Sequence, residues 1–177
     1  SHDSLHIKLV SDNPENGNLR LEIRGVDFLG NILYQEVIPP EMTSEDIIFS
    51  TNRFFKNIDK ATVVLVTELK DGDKVIDQDL HYFAKPKALI LADPQIQTNV
   101  IEKEEVFEIS VSASSLAKNV FLYADGLEEQ FSDNFFDVLP GESITVEIPK
   151  NEKSTQALKE LKVLHLFQTV NKIDDNQ

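Results

Sequence analysis

Alternation with period two runs through most of this chain. In "SLHIKLV", Leu5, Ile7 and Leu9 share one face and His6 and Lys8 the other, the mark of a half-buried strand. "NLRLEIRG" repeats the pattern, with Leu19, Leu21 and Ile23 inward and Arg20, Glu22 and Arg24 outward. At Gly25 the parity changes, because the next apolar residues are Val26 and Phe28. One extra residue in the strand returns both to the core face, and glycine tolerates the backbone this needs. A β-bulge is therefore predicted near Arg24-Gly25. "LGN" turns the chain into "ILYQEVI", which Pro39-Pro40 ends because neither proline can donate to a ladder. Residues 61–69, "ATVVLVTEL", are apolar on both faces at their centre, as in an interior strand covered on both sides. Asp71-Gly72 in "KDGD" is a hairpin signal, and "KVIDQDLHYF" returns as the partner strand. About six strands with no helix over the first half predict a sandwich.

"AKPKALILADP" is the seam, with Pro86 and Pro94 bracketing a short apolar run. Beyond it, "VFEISVSAS" and "ESITVEIP" alternate cleanly, while "KNVFLYA" and "KVLHLFQT" are apolar on both sides and read as central strands. "STQALKEL", residues 154–161, has a helical cast with Ser154 as its N-cap. The tail "KIDDNQ" is expected to fray. The fold class predicted is all-β, as two tandem immunoglobulin-like antiparallel sandwiches, residues 1–86 and 87–177.

"FSDNFFDVLPGE", residues 131–142, fits neither strand nor helix cleanly. In an extended strand Phe135 and Phe136 point to opposite faces. Each buried ring is worth roughly 1.5–3 kcal/mol, so at least one closes its own domain's core. The other needs a second apolar surface, at the opposite end of the sandwich, on the first domain, or beyond this chain. Ser132, Asp133 and Asn134 are turn formers that bond nearby backbone, and Pro140-Gly141 suits the central pair of a type II turn. Phe131, Asp133, Asn134, Phe135, Phe136, Pro140 and Gly141 are thus candidates for a structural or interdomain corner of the sandwich.

Composition narrows the partners. Of 177 residues, 31 are acidic and 17 basic, a formal charge of −14. That field repels phosphate backbones and anionic headgroups, so neither nucleic acid nor a membrane surface is an expected partner. No run has the roughly 18 apolar residues of a membrane helix. No signal peptide opens the chain, and Ser1-His2 reads as the scar of a cleaved tag. With no cysteine and four scattered histidines, neither a disulfide, a thiol nucleophile nor a metal site is predicted, and no cofactor is expected.

No motif of catalysis stands out. Glycoside hydrolysis needs two carboxylates flanking a cleft, and the carboxylates here lie on solvated strand faces and in turns. "DGD", residues 71–73, lacks the further ligands of a calcium loop. His165 sits in an apolar stretch with no identifiable partner and reads as a core or edge residue. Sugar-binding modules present rows of Trp or Tyr, whereas this chain has no Trp and three Tyr, so carbohydrate contact gains no support here. "RFFKN", residues 53–57, reads as packing.

Residues 116–148, "LAKNVFLYADGLEEQFSDNFFDVLPGESITVEI", resemble the C-terminal immunoglobulin-like domain of β-mannosidases. These are multidomain retaining glycosidases related to β-galactosidase and β-glucuronidase. Leu116-Ala117-Lys118, the run Phe131 to Asp137, and Leu139-Pro140-Gly141-Glu142 carry the likeness. The first half is similar to the preceding sandwich of those enzymes, through "VDFLGNIL", the hairpin after "VVLVTEL" and the exit "FAKPKALIL". The resemblance implies a C-terminal fragment made of accessory domains, whose partner is an upstream catalytic barrel of the same polypeptide. That barrel carries the catalytic glutamates, so no catalytic position falls on this chain. It also implies a parent that removes terminal β-mannose, a periplasmic or extracellular location, and an interdomain surface for the second phenylalanine. The alternative is a stand-alone glycan-binding or adhesion module.

Overall fold

In a computed structural model, residues 4–7, 19–38, 47–50, 57–127 and 129–174 are described. Two compact units emerge, Ser1–Asp27 with Asn31–Ile90, and Phe28–Gly30 with Leu91–Gln177. The first holds six described strands: β1 (Ser4–Ile7), β2 (Leu19–Asp27), β3 (Ile32–Ile38), β4 (Ile47–Ser50), β5 (Val63–Asp71) and β6 (Lys74–Tyr82). They form an antiparallel sheet in the order β3-β2-β5-β6 and a β1-β4 pair. Leu21, Ile23, Ile38, Val63 and Leu65 make the core, with Leu5 and Ile7 of β1 packed against it. This is sheet on sheet, the layering that lets an alternating strand hide one face.

The register shift between Gly25 and Val26 places the extra residue, Leu33, in β3, since Gly25 pairs with Tyr34 and Val26 with Ile32. β2 itself pairs with β5 without a break, so the bulge predicted in this strand near Arg24-Gly25 is corrected to its neighbour. β5 is interior, and Val63 to Val66 are all fully buried, as its two-sided apolar run requires. The hairpin forms one residue later than predicted. Asp71 pairs with Lys74, and Gly72-Asp73 is the two-residue loop, with Gly72 at φ +58°. Glycine must occupy the first loop position because an L side chain resists that angle. Strand β4 is not singled out by the alternation. Pro39-Pro40, residues 53–56 of "RFFKN", Lys8 and Leu9 of the first strand, and the last three residues lie outside those described.

The second unit contains β7 (Gln97–Glu102), β8 (Val106–Ser112), β9 (Ala117–Tyr123), β10 (Phe136–Val138), β11 (Ser143–Pro149) and β12 (Lys162–Leu164). Two three-stranded antiparallel sheets result, β10-β9-β12 and β11-β8-β7. Phe107, Ile109 and Val111 from β8, Val146 and Ile148 from β11, and Val120 and Leu122 from β9 share one core.

Three expectations are corrected in this half. Helix α1 (Glu152–Ala157) is capped by Asn151, whose side chain accepts from the Ser154 N–H. Ser154 occupies the third helical position and answers by accepting from the Asn151 N–H, a reciprocal capping box. "KVLHLFQT" is no continuous strand: β12 stops at Leu164, and helix α2 runs over Leu166–Asp174. Leu166, Phe167, Val170 and Ile173 recur at helical spacing, so residues 172–174 continue a helix instead of fraying.

Candidate functional site

The stretch 131–137 straps one sheet of the second unit to the other, and its polar side chains stand in for missing backbone partners. Ser132 takes the place of a strand residue beside β11: its N–H donates to the Glu147 carbonyl, and its hydroxyl accepts from the Glu147 N–H, both at 2.8 Å. Asn134 does the same beside β9. Its Oδ1 accepts from the Leu122 N–H at 2.8 Å and its Nδ2 donates to the Leu122 carbonyl at 2.9 Å. An amide carries both a donor and an acceptor, so one side chain imitates a ladder pair. Asp133 accepts from the N–H of the next residue, Asn134, at 2.7 Å.

Asp137 then staples an irregularity. Between Phe136↔Val120 and Val138↔Ala117 the β9–β10 register shifts, leaving Asn119 at φ +52°. The Asp137 carboxylate accepts from the Asn119 N–H at 2.7 Å and from Lys118 Nζ at 2.8 Å. The chain leaves through Pro140-Gly141, where the Glu142 N–H donates to the Leu139 carbonyl at 3.1 Å and Gly141 has φ +81°, a type II turn. A Cβ on Gly30, itself at φ +93°, would sit 3.0 Å from Pro140 Cβ. That close approach needs glycine.

The three phenylalanines divide. Phe131 and Phe136 are half-buried and pack on the core. Phe135 is not among the side chains packed on that core. Its ring is 66% exposed and stacks on Phe121 of β9, centroids 4.7 Å apart and planes 24° apart. Phe121 stacks in turn on Tyr123, at 5.8 Å and 16°, and Lys162 Nζ of β12 lies 5.5 Å from the Tyr123 centroid. Asp125 binds that ammonium and raises its pKa. Phe121, Tyr123 and Lys162 were not candidates in the sequence. The available signal was the i, i+2 spacing of Phe121 and Tyr123 on a strand already apolar on its other face.

In the first unit the notable chemistry is an ion-pair lattice across β2 and β5. Glu68, 4% exposed, takes Arg24 at 2.5 Å and Lys70 at 2.8 Å, and Lys70 also binds Glu22. Gln78 donates to Glu68 at 3.1 Å and Gln35 to Glu22 at 2.6 Å. The Lys70 hydrogen bond holds Glu22 below the usual carboxylate range. Burial pushes Glu68 up, but hydrogen bonds from Lys70 and Gln78 and the charge of Arg24 outweigh it, so the net shift is downward. Glu22 and Glu68 in turn raise Lys70. A general acid needs the opposite, a carboxyl kept protonated by a raised pKa. These two carboxylates stay ionised and occupied.

Two shallow clefts flank α1. One, about 450 Å³, is lined by residues including Asp125, Glu152, Lys153 and Glu160. The other, about 430 Å³, is lined by Glu104, Lys150, Asn151, Glu152, Thr155 and Gln156. Both are walled largely by charged and polar side chains, unlike the apolar linings typical of ligand pockets, and no corner residue lines either. Among the described residues, no three metal-ligating side chains cluster and no helix is long and apolar enough to cross a membrane.

Residues 3–88 match the mannosidase Ig/CBM-like domain family, and residues 91–169 match the Ig-fold domain family of mannosidases. The chain belongs to these mannosidase immunoglobulin-like families. A search of curated proteins finds no match. Among solved structures, the β-D-mannosidase from Dictyoglomus thermophilum superposes over 93% of this chain and 19% of its own, with 17% identity and a TM-score of 0.61. The exo-chitosanase CsxA from Amycolatopsis orientalis superposes over 94% of this chain and 23% of its own, with 10% identity and a TM-score of 0.52. This pair of mannosidase-type domains thus spans about a fifth of the length of either enzyme. Identities this low establish the shared fold.

Proposed function

We propose that the chain is a pair of non-catalytic accessory domains of a β-mannosidase-like glycoside hydrolase. In this reading an upstream catalytic barrel of the same polypeptide does the chemistry. The carrying observation is the consecutive match of both mannosidase domain families over nearly the whole chain, joined to a superposition that uses only a fifth of a β-D-mannosidase. Buried Glu68 and half-buried Glu22 are held ionised by Arg24 and Lys70, which is the charge state of a structural ion pair. The parent is a retaining enzyme that removes terminal β-mannose, working in the periplasm or outside the cell. The domains support the barrel and frame its substrate entrance.

Two measurements test this. The purified chain, assayed with an aryl β-mannoside, is expected to show no turnover, and turnover above the buffer blank would refute the non-catalytic assignment. The reading frame upstream of Ser1 is expected to encode a β/α barrel of about 250 residues with two glutamates at the C-terminal ends of its strands. An unrelated upstream domain would replace the reading with that of a free-standing module.

A further inference from the structure

Phe135 is held in a place that folding alone does not reward. Leaving a ring in water forgoes the gain of burying it, and a non-glycine residue at positive φ is strained. Phe135 does both, at 66% exposure and φ +63°. The neighbours that hold it there are specific: Asn134 Oδ1 accepts from the Phe135 N–H at 3.2 Å while the same amide is locked to Leu122, and the Phe121 ring backs it. The row Phe135–Phe121–Tyr123 is therefore rigid before anything binds. One end is closed, because Lys162 sits beside Tyr123. Phe121 has a ring on either side. The open ring face is that of Phe135, turned away from Phe121.

We propose that this face of the β10-β9-β12 sheet is a carbohydrate-stacking surface, with the free face of Phe135 receiving the apolar face of a neutral pyranoside. Aromatic faces carry negative charge density, and the axial C–H bonds of a pyranose present a weakly positive, apolar patch of about one ring's area. Rigidity lowers the ordering cost that makes small-ligand binding weak. Charge selects among occupants. Lys162 is neutralised by Asp125, so the row is locally uncharged on a chain of net −14, a field that disfavours anionic ligands and a second copy of the chain. Size selects too. Phe121 and Tyr123 are half-buried, so the row falls well short of the roughly 800 Å² per partner that a stable protein interface buries. This deepens the accessory-domain reading, which supplies the reason for a sugar to be near.

The test is a two-dimensional NMR titration of the intact chain with methyl β-mannoside, methyl β-glucoside and mannobiose. Saturable, millimolar shifts grouped on Phe135, Phe121 and Tyr123 are expected. Phe135→Ala and Phe135→Gly should each weaken them by about tenfold or more. Phe135→Gly also relieves the backbone strain, so its thermal midpoint should not fall, which separates a lost ligand contact from a lost fold. Absence of saturable shifts overturns the proposal, as does undiminished binding by both variants. Concentration-dependent self-association through these resonances, without a sugar response, overturns it in favour of a protein contact. The upstream reading frame decides the accessory-domain assignment independently of any titration.

Discussion

Asn134 shows how one side chain can do the work of a strand. It satisfies both backbone groups of Leu122, and Leu122 is 1% exposed, so water cannot easily replace the amide. Asn134→Ala should cost about 2 kcal/mol, the penalty for stranding a buried donor and acceptor, read as a lower urea midpoint at unchanged slope. Asn134→Asp should recover part of this, since a carboxylate still accepts from the N–H. The phenylalanines beside it make a paired test. Phe136→Ala should lose about 2–3 kcal/mol because its ring packs on the core, whereas Phe135→Ala should stay within about 0.5 kcal/mol. Equal losses would mean that the exposed ring carries folding energy after all. The sequence marked this dodecapeptide as a corner but could not say which ring faces which way. That choice depends on Asn134 reaching Leu122, twelve residues away in sequence.

At the scale of elements, the β2–β5 face and the β12–α2 joint respond to acid for different reasons. Glu22 and Glu68 have folded pKa values below their ordinary 4.5. The unfolded chain therefore takes up those protons first, and the stabilisation they provide is intact above pH 4.5 and lost as pH falls through the folded values. Glu68→Gln should remove part of that acid sensitivity and cost about 1–2 kcal/mol at neutral pH, since Arg24 and Lys70 each lose one carboxylate while Lys70 keeps Glu22. Chemical denaturation between pH 3 and 7 measures both. His165 is 7% exposed with Nδ1 unpartnered. Burial lowers its pKa below 6.5, against the opposing charge of Asp93. The unfolded histidine gains its proton first, so stability contributed by neutral His165 begins to fall as pH drops below 6.5. His165→Phe should flatten this limb between pH 5 and 7, and an unchanged profile would exclude the histidine as its source. The strands on either side were legible because β-periodicity is local. The helix after His165 was not, because the short apolar cluster Val163, Leu164, Leu166 and Phe167 satisfies a strand and a buried helical turn equally well.

For the molecule as a whole, charge dominates what solution conditions can change. Thirty-one acidic residues against 17 basic ones leave a self-repulsion that salt screens within roughly 10 Å at 0.1 M. Thermal midpoints should rise between low salt and about 0.3 M sodium chloride, and a flat or falling midpoint would mean that the surface ion pairs outweigh the net repulsion. The lattice around Glu68 is shielded from this screening, so Glu68→Gln and salt should act additively.

The sequence by itself determined the layered all-β class, the buried strand at Val63–Val66, and the acidic balance of charge. These follow from the period of two, from a run apolar on both faces, and from a simple sum of charges, none of which needs a distant contact. Only the tertiary structure decided that Ser132 and Asn134 replace ladder partners, that Glu68 is neutralised from two strands, and that Phe121, Tyr123 and Phe135 form one row. Each joins residues on different strands, and register, twist and side-chain reach, rather than local pattern, choose those neighbours.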